Sequence, residues 1–189
     1  LRVTRLATEQ NPLPMHVLEL VARRSGGNPQ FLLDLLRAAM ESRSTDSLPD
    51  SAEAATMARI DALAPDDRAL VRRAAVFGLK FHPRMLRWFA DDGESPQPTP
   101  ATWSRLKDFF DDDGEGYLRF RRSLLRDTAY EGLPFKLRRR LHERVGTRLE
   151  QEASDPDEVA GLLALHFHVA GAYPAVWRYA VIAARRAQE

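Results

Sequence analysis

The stretch Arg24-Ser25-Gly26-Gly27-Asn28-Pro29-Gln30-Phe31-Leu32-Leu33 decides how the first part of this chain folds. Residues 15–24 before it carry apolar side chains at helical spacing, which predicts a helix there. The two glycines end that helix, and Asn28 and Pro29 are favoured N-cap and first-turn residues. We therefore expect a second helix over 29–42, joined to the first by a short junction that exposes backbone and one fixed polar side chain.

A second junction lies about ninety residues further along, in Leu118-Arg119-Phe120-Arg121-Arg122-Ser123-Leu124-Leu125-Arg126-Asp127-Thr128-Ala129-Tyr130-Glu131. Apolar alternation at Tyr117, Leu118 and Phe120 predicts a short strand, and a helix over 123–132 follows. The turn before the strand is expected at Asp113-Gly114. Only a folded lobe can bring two junctions so distant in sequence together.

Between the junctions the chain reads as helical. Residues 43–50 have the composition of a linker. Ser51 caps a helix and Pro65 opens another, which Gly78 ends. A short helix is expected from Pro83, an acidic loop over 91–98, and a helix from Thr99 through Trp103, Leu106 and Phe110. The predicted fold class is mainly α, and helices followed by a small β-hairpin outline a winged helix.

The last third predicts a helical arm. A long basic helix starts at Pro134, and Asp155-Pro156-Asp157-Glu158 is a helix-start signature that predicts a helix from 156 to Gly171. Pro174 opens the last helix. The final pair of helices carries alanines where helices would touch, and it is similar to one tetratricopeptide repeat. Because one such repeat cannot bury its own face, further repeats are expected downstream.

Composition limits the functional classes. The 189 residues have a formal net charge of +1, which argues against a generally nucleic-acid-seeking protein. Cysteine is absent, so disulfide and thiol chemistry are excluded. No apolar run reaches the length of a membrane span, and no membrane partner is expected. The chain starts at Leu1 without a signal-like segment, from which we expect a cytoplasmic piece of a longer protein.

Five sequence words in order carry a resemblance that covers nearly the whole chain. They are Ser25-Gly26-Gly27-Asn28-Pro29-Gln30-Phe31-Leu32, Leu48-Pro49-Asp50-Ser51, Ala58-Arg59-Ile60-Asp61-Ala62-Leu63-Ala64-Pro65, Leu124-Leu125-Arg126-Asp127-Thr128-Ala129-Tyr130-Glu131-Gly132-Leu133 and Leu163-Ala164-Leu165-His166-Phe167. In these words the chain resembles the STAND class of signalling ATPases. It is most similar to the modules found with bacterial class III adenylate or guanylate cyclase domains, or with LuxR-type DNA-binding domains.

The resemblance implies three parts. They are an AAA-like helical lid fragment over 1–45, a winged-helix domain over 51–122, and a helical arm with a first TPR-like repeat over 123–189. It also implies an ATPase core upstream, because the chain contains no G-x-x-x-x-G-K-[ST] segment to cradle phosphates. ATP or ADP with Mg²⁺ would bind to the intact parent, and no cofactor is expected for the fragment alone. The partners implied are that core, the downstream repeats, and a protein partner or a second copy.

Four residues are nucleotide contacts by the same resemblance. Gly27, Asn28 and Pro29 occupy the lid junction that lies against the nucleotide in family members. Arg122 occupies the position of a winged-helix histidine that contacts the ADP β-phosphate. An arginine binds phosphate bidentately at any pH, whereas a histidine also reports protonation. From the residues alone, a plain turn with an N-cap and a solvated arginine explain both places.

Two alternatives stay open: a DNA-binding winged-helix transcription regulator and a helical protein-interaction scaffold. The basic residues around the second junction favour DNA, since cationic side chains bind phosphates. Asp108 and Asp111-Asp112-Asp113, in and after the expected recognition helix, oppose it, so DNA is an unlikely partner for this fragment. No metal site is expected, because the loop at Asp111 lacks the calcium spacing, and His166 and His168 point to different sides of a helix. No set of residues suggests catalysis.

Overall fold

The computed structural model describes residues 13–42, 51–92 and 98–188. The chain divides into two compact units, Leu1–Leu63 and Ala64–Glu189. The predicted lead-in over 1–12, the linker over 43–50 and most of the acidic loop lie outside the described residues.

In the described residues of the first unit the helices are α1 (Met15–Arg24), α2 (Pro29–Ser42) and α3 (Ala52–Asp61). The Ser51 hydroxyl accepts a hydrogen bond from the backbone N–H of Ala54, as its predicted N-cap role requires. The apolar stripes of the helices meet in one small core, whose buried members are Val17, Leu18, Val21, Phe31, Leu35, Leu36, Ala39 and Ala55.

The second unit begins with α4 (Pro65–Ala74), which continues into a 3₁₀ turn over Ala75–Phe77. Strand β1 (Lys80–Phe81) follows, then a 3₁₀ segment over Pro83–Asp92 and α5 (Pro100–Arg105). Strands β2 (Phe110–Asp112) and β3 (Leu118–Phe120) form the predicted hairpin. The antiparallel sheet has the order β1-β3-β2, with Phe81 opposite Leu118 and Phe110 opposite Phe120.

The prediction that one helix runs from Thr99 through Phe110 is wrong. The helix ends at Arg105, and Phe110 starts strand β2. The ring centroid of Phe110 lies 4.7 Å from that of Phe120 and 5.5 Å from that of Phe81, so the residue joins an aromatic core under the sheet. These pairs add stabilisation beyond the burial of their area, and such tertiary contacts override a local helical pattern.

The remaining helices form the arm: α6 (Ser123–Glu131), α7 (Phe135–Glu152), α8 (Ala160–Ala170) and α9 (Tyr173–Arg186). Gly171 ends α8 in the left-handed region at φ 77°, as its predicted role as a stop requires. The prediction that α8 starts at 156 is wrong by one turn. The Asp155 side chain accepts from the backbone N–H of Asp157, which stabilises a separate turn before the helix.

The predicted fold class is confirmed, because the structure is mainly α with a small antiparallel sheet. The two-residue strand β1 was not predicted. It has too few residues to show alternation and is defined by its pairing with β3. Helix α3 packs in the first unit, while the hairpin and the arm share the second. The division into a lid over 1–45, a winged helix over 51–122 and an arm over 123–189 stays a prediction.

Candidate functional site

The junction between α1 and α2 has the local geometry that its sequence predicts. Gly26 and Gly27 take φ values of 56° and 82°, in the left-handed region where a side chain causes strain. The Asn28 side-chain oxygen accepts from the backbone N–H groups of Gln30, at 3.0 Å, and Phe31, at 3.1 Å. Gly26, Gly27, Asn28 and Pro29 are all exposed. The junction therefore presents backbone to the surface, and its glycines are needed for their conformation.

A buried carboxylate lies next to this junction, and the sequence analysis missed it. Asp34, one turn into α2, has a side chain that is 6% exposed. Its Oδ1 accepts from Gln30 Nε2 and Arg59 Nη1, each at 3.3 Å. Arg59 belongs to α3, so this ion pair joins α2 to α3 behind the junction. Nothing in the local sequence separates Asp34 from an ordinary surface acid.

Arg122 lies at the start of α6, where the chain leaves the hairpin. Its backbone is extended, with φ −151° and ψ 147°, and its side chain is exposed and makes no capping hydrogen bond. Arg122 also interacts within the protein, so it is not without a partner there. Arg122 belongs to the second unit, and the residues of the α1–α2 junction belong to the first.

The hairpin, defined here as β2, β3 and their turn, neutralises its own cations. Arg119 Nε and Nη2 donate to the two carboxylate oxygens of Asp113 at 2.8 and 3.2 Å. Lys80 Nζ lies 2.7 Å from the same carboxylate, and Arg121 Nη2 lies 2.8 Å from Asp111 Oδ1. The hydrogen bond from Arg119, followed by that from Lys80, lowers the pKa of Asp113 to about 2. Two of the cations that suggested DNA binding, Arg119 and Arg121, are thus paired with acids, and Lys80 of β1 is paired as well.

A second buried carboxylate fixes the helices beside the hairpin. Asp67 in α4 accepts two hydrogen bonds of 2.8 Å from Arg105 at the end of α5. The hydrogen bond from Arg105 is the main reason that the pKa of Asp67 is lowered. The side chain of Asp67 is 6% exposed, whereas that of Arg105 is 56% exposed. Such a bidentate pair fixes the orientation of both groups.

The arm contains a buried polar chain, defined here as Tyr130, His142 and His166. The Nδ1 atoms of the two histidines are 2.9 Å apart, and the Tyr130 hydroxyl lies 2.9 Å from His142 Nε2. Both histidines are almost fully buried. His168 is exposed on the other side of α8, so the expectation that His166 and His168 face different ways is confirmed.

Burial keeps both histidines neutral. Desolvation lowers the pKa of His166 to about 4. It also lowers the pKa of His142 to about 4, where repulsion from His166, Arg126 and Arg138 adds to the effect. A neutral pair can share one proton between its Nδ1 atoms, and the Tyr130 hydroxyl matches either tautomer because it donates or accepts. Sequence reasoning missed the pair. A signal existed, because residues four apart share a helix face: His142 is four residues before buried Gly146, and His166 is four before buried Ala170.

At the far end of the arm, Glu150 of α7 holds two side chains of α9. It accepts hydrogen bonds from the Tyr179 hydroxyl and from Arg178. Burial, followed by the hydrogen bond to Glu150, raises the pKa of Tyr179 to about 12. The contact fastens the last helix to the long basic helix, and it has the character of a structural link.

Searches against protein-family models, curated proteins and solved structures each find no match to this chain. Over residues 13–42, 51–92 and 98–188, no three histidine or acidic side chains are grouped so that they could hold a metal ion. In the same ranges no helix has both the length and the apolar character that crossing a membrane requires.

Proposed function

We propose that this chain is the lid, winged-helix and arm portion of a nucleotide-dependent signal-transduction switch of the STAND class. ADP would hold these parts against an ATPase core supplied by another segment of the polypeptide, and exchange for ATP would release them. The output would be a cyclase or a transcription-regulator domain. The coupling requires contacts that differ between the two nucleotide states, since a ligand that binds both equally shifts nothing.

The observation that carries the proposal is the α1–α2 junction. Two successive left-handed glycines leave the surface beside Asn28 and Pro29 without side-chain cover, and nothing lies within 4 Å of a Cβ placed on either glycine. Such a surface allows close approach of a planar base or a phosphate. Pro29 opens a helix of 14 residues, whose positive end favours an anion nearby.

Two further features of the second unit support the proposal. Helix α4, strand β1, the 3₁₀ segment, α5 and the hairpin follow one another in the order helix, strand, helix, helix, hairpin, which suits a winged helix. Arg122 lies directly after the hairpin, at the position that the resemblance assigns to a phosphate contact. A DNA-binding role is less well supported, because the acids Asp111 and Asp113 already hold the cations of the hairpin.

Calorimetric titration with ADP, ATP and a DNA duplex at two salt concentrations tests this proposal. We expect weak or no nucleotide binding by the 189-residue chain and tight ADP binding once an ATPase core precedes it. In that longer protein, Arg122→Ala should weaken ADP binding about tenfold or more, as loss of a charge-assisted hydrogen bond does.

The matched control is Arg121→Ala, which removes a neighbouring exposed arginine that Asp111 holds. An equal loss of ADP affinity in both variants would contradict the role of Arg122. Tight DNA binding by the chain that falls steeply with salt would instead favour the transcription regulator.

A further inference from the structure

A cavity of about 230 Å³ opens on the second unit between α4 and the turn that joins α6 to α7. Three arginines of α4 line it, Arg68, Arg72 and Arg73, and none of its lining residues within the described ranges is acidic. Asp67, on the same helix, is engaged by Arg105. The cavity therefore concentrates positive charge within a chain whose net charge is only +1.

The three arginines have distinct places. A Cβ on Gly132 would come within 2.9 Å of Arg72 Nε, so the Arg72 guanidinium lies against the backbone at the end of α6. A cation there complements the negative end of that helix. Arg68 and Arg73 are half-buried on either side. All three residues also interact within the protein, and a guanidinium has five N–H donors with which it can contact several partners at once.

The start of α7 adds a second, independent indication. The first turn of this 18-residue helix borders the cavity through Pro134 and Leu137. It has no acidic residue, and it carries Lys136 and Arg138 instead. Acids normally stabilise a helix start, and cations oppose its positive end. An anion in the cavity would relieve this unfavourable arrangement.

We propose that the cavity binds a small phosphate-bearing molecule. A phosphate dianion offers oxygens to more than one guanidinium at once, which a single carboxylate does less well. The volume is below the roughly 300–1,000 Å³ of pockets for drug-sized ligands, which suits a small phosphomonoester or phosphate itself better than a whole nucleotide. Ala69, Leu133 and Leu137 give the cavity an apolar side that could contact a short organic group.

Calorimetry on the 189-residue chain tests this inference with inorganic phosphate and glycerol phosphate as probes, at constant ionic strength set with chloride. The double variant Arg68→Gln, Arg73→Gln should bind phosphate on the order of a hundredfold more weakly, about tenfold for each arginine. The matched control, Arg84→Gln, Arg140→Gln, removes two exposed arginines that do not line the cavity and should change affinity less than about threefold.

The probes also separate the two sources of phosphate. Tighter binding of glycerol phosphate than of inorganic phosphate assigns a phosphomonoester, and equal binding assigns the ion; either supports the site. Wild-type binding no stronger than that of chloride overturns it, as does an equal loss in both double variants. If the double variant unfolds, as circular dichroism would show, the single variants Arg68→Gln and Arg73→Gln decide. This titration uses the chain without an ATPase core, whereas the nucleotide proposal expects tight ADP binding only with that core, so the two fail separately.

Discussion

The Asp113 carboxylate of the hairpin is charged and paired, whereas the two histidines of the polar chain in the arm are buried and neutral. In the hairpin, Asp113 stays charged because Arg119 and Lys80 surround it, and the group remains partly exposed. In the arm, His142 and His166 are buried and stay neutral. An ion pair near water tolerates its charges. A buried imidazole would carry its charge without the hydration that stabilises it in water.

This difference indicates which part of the second unit loses stability first as the pH falls. The folded-state pKa values of the histidines lie below the ordinary value of about 6.5, so their neutral form contributes stability that is complete above that pH. As pH falls toward about 4, the unfolded chain binds protons that the folded chain refuses, and this stability is lost. The carboxylate of Asp113 responds only at lower pH, between its ordinary pKa of 3.8 and its folded-state pKa of about 2.

The largest expected effect is therefore a loss of stability in the arm as the pH falls. This loss occurs at higher pH values than those at which Asp113 of the hairpin titrates. Between about pH 7 and pH 5 the free energy of unfolding should fall by on the order of 2–4 kcal/mol, from proton uptake by both histidines in the unfolded state. Urea denaturation at a series of pH values measures it. The double variant His142→Gln, His166→Gln should flatten the dependence, and an unchanged slope would remove the histidines as its cause.

A double-mutant cycle sharpens the arm side of the comparison. His142→Leu alone leaves His166 Nδ1 without its buried partner and should cost about 1–3 kcal/mol of stability. The same holds for His166→Leu. Replacing both removes the unpaired Nδ1 atom that each single variant leaves, so the double variant should lose less than the two single losses added together. Strict additivity, measured by denaturation at neutral pH, would mean that the two imidazoles do not interact.

Tyr130→Phe tests the outer end of the polar chain. Loss of the hydroxyl removes one hydrogen bond to His142 while the ring remains, so we expect a loss of about 0.5–1.5 kcal/mol. Tyr117→Phe is a matched control, because the side-chain contacts of Tyr117 with His82 and Lys80 are made by its ring, which the variant keeps. A loss equal to the control would show that the hydroxyl contributes nothing specific.

The smallest effect on stability is expected in the hairpin. Asp111→Asn with Asp113→Asn should change the melting temperature little, because partly exposed ion pairs contribute little to stability. The variant should, however, release Lys80, Arg119 and Arg121 to bind phosphates. Duplex DNA affinity should then rise, with a salt dependence steeper by up to about three phosphate contacts. Unchanged DNA binding would show that the acids do not restrain these cations.

Much of the fold was predictable because its signals are local. Gly26-Gly27 with Asn28-Pro29 and the stop at Gly171 act through the conformations that their own backbones prefer, and both were confirmed. The end of α5 and the place of Phe110 were not predictable, because the aromatic contacts with Phe81 and Phe120 depend on the folded sheet.

The candidate site divides in the same way. The sequence singled out Gly27, Asn28, Pro29 and Arg122, and the structure describes each within its own unit; their shared contact with a nucleotide stays a prediction. The arginine cavity was not foreseen, since Arg68, Arg72 and Arg73 look like ordinary surface charges on an amphipathic helix. Only the approach of Gly132 and the start of α7 encloses them.

By itself the sequence determined the mainly α class, most of the helices and the local signals at Asn28, Ser51 and Gly171, because these depend on interactions over a few residues. The tertiary structure alone decided which charges are paired, which histidines meet and where a cavity remains. Those properties depend on groups that are far apart in the chain, such as the Arg126 side chain and the carbonyl oxygen of Ala75, which differ by 51 positions. Desolvation and ion pairing act only once folding has brought such groups together.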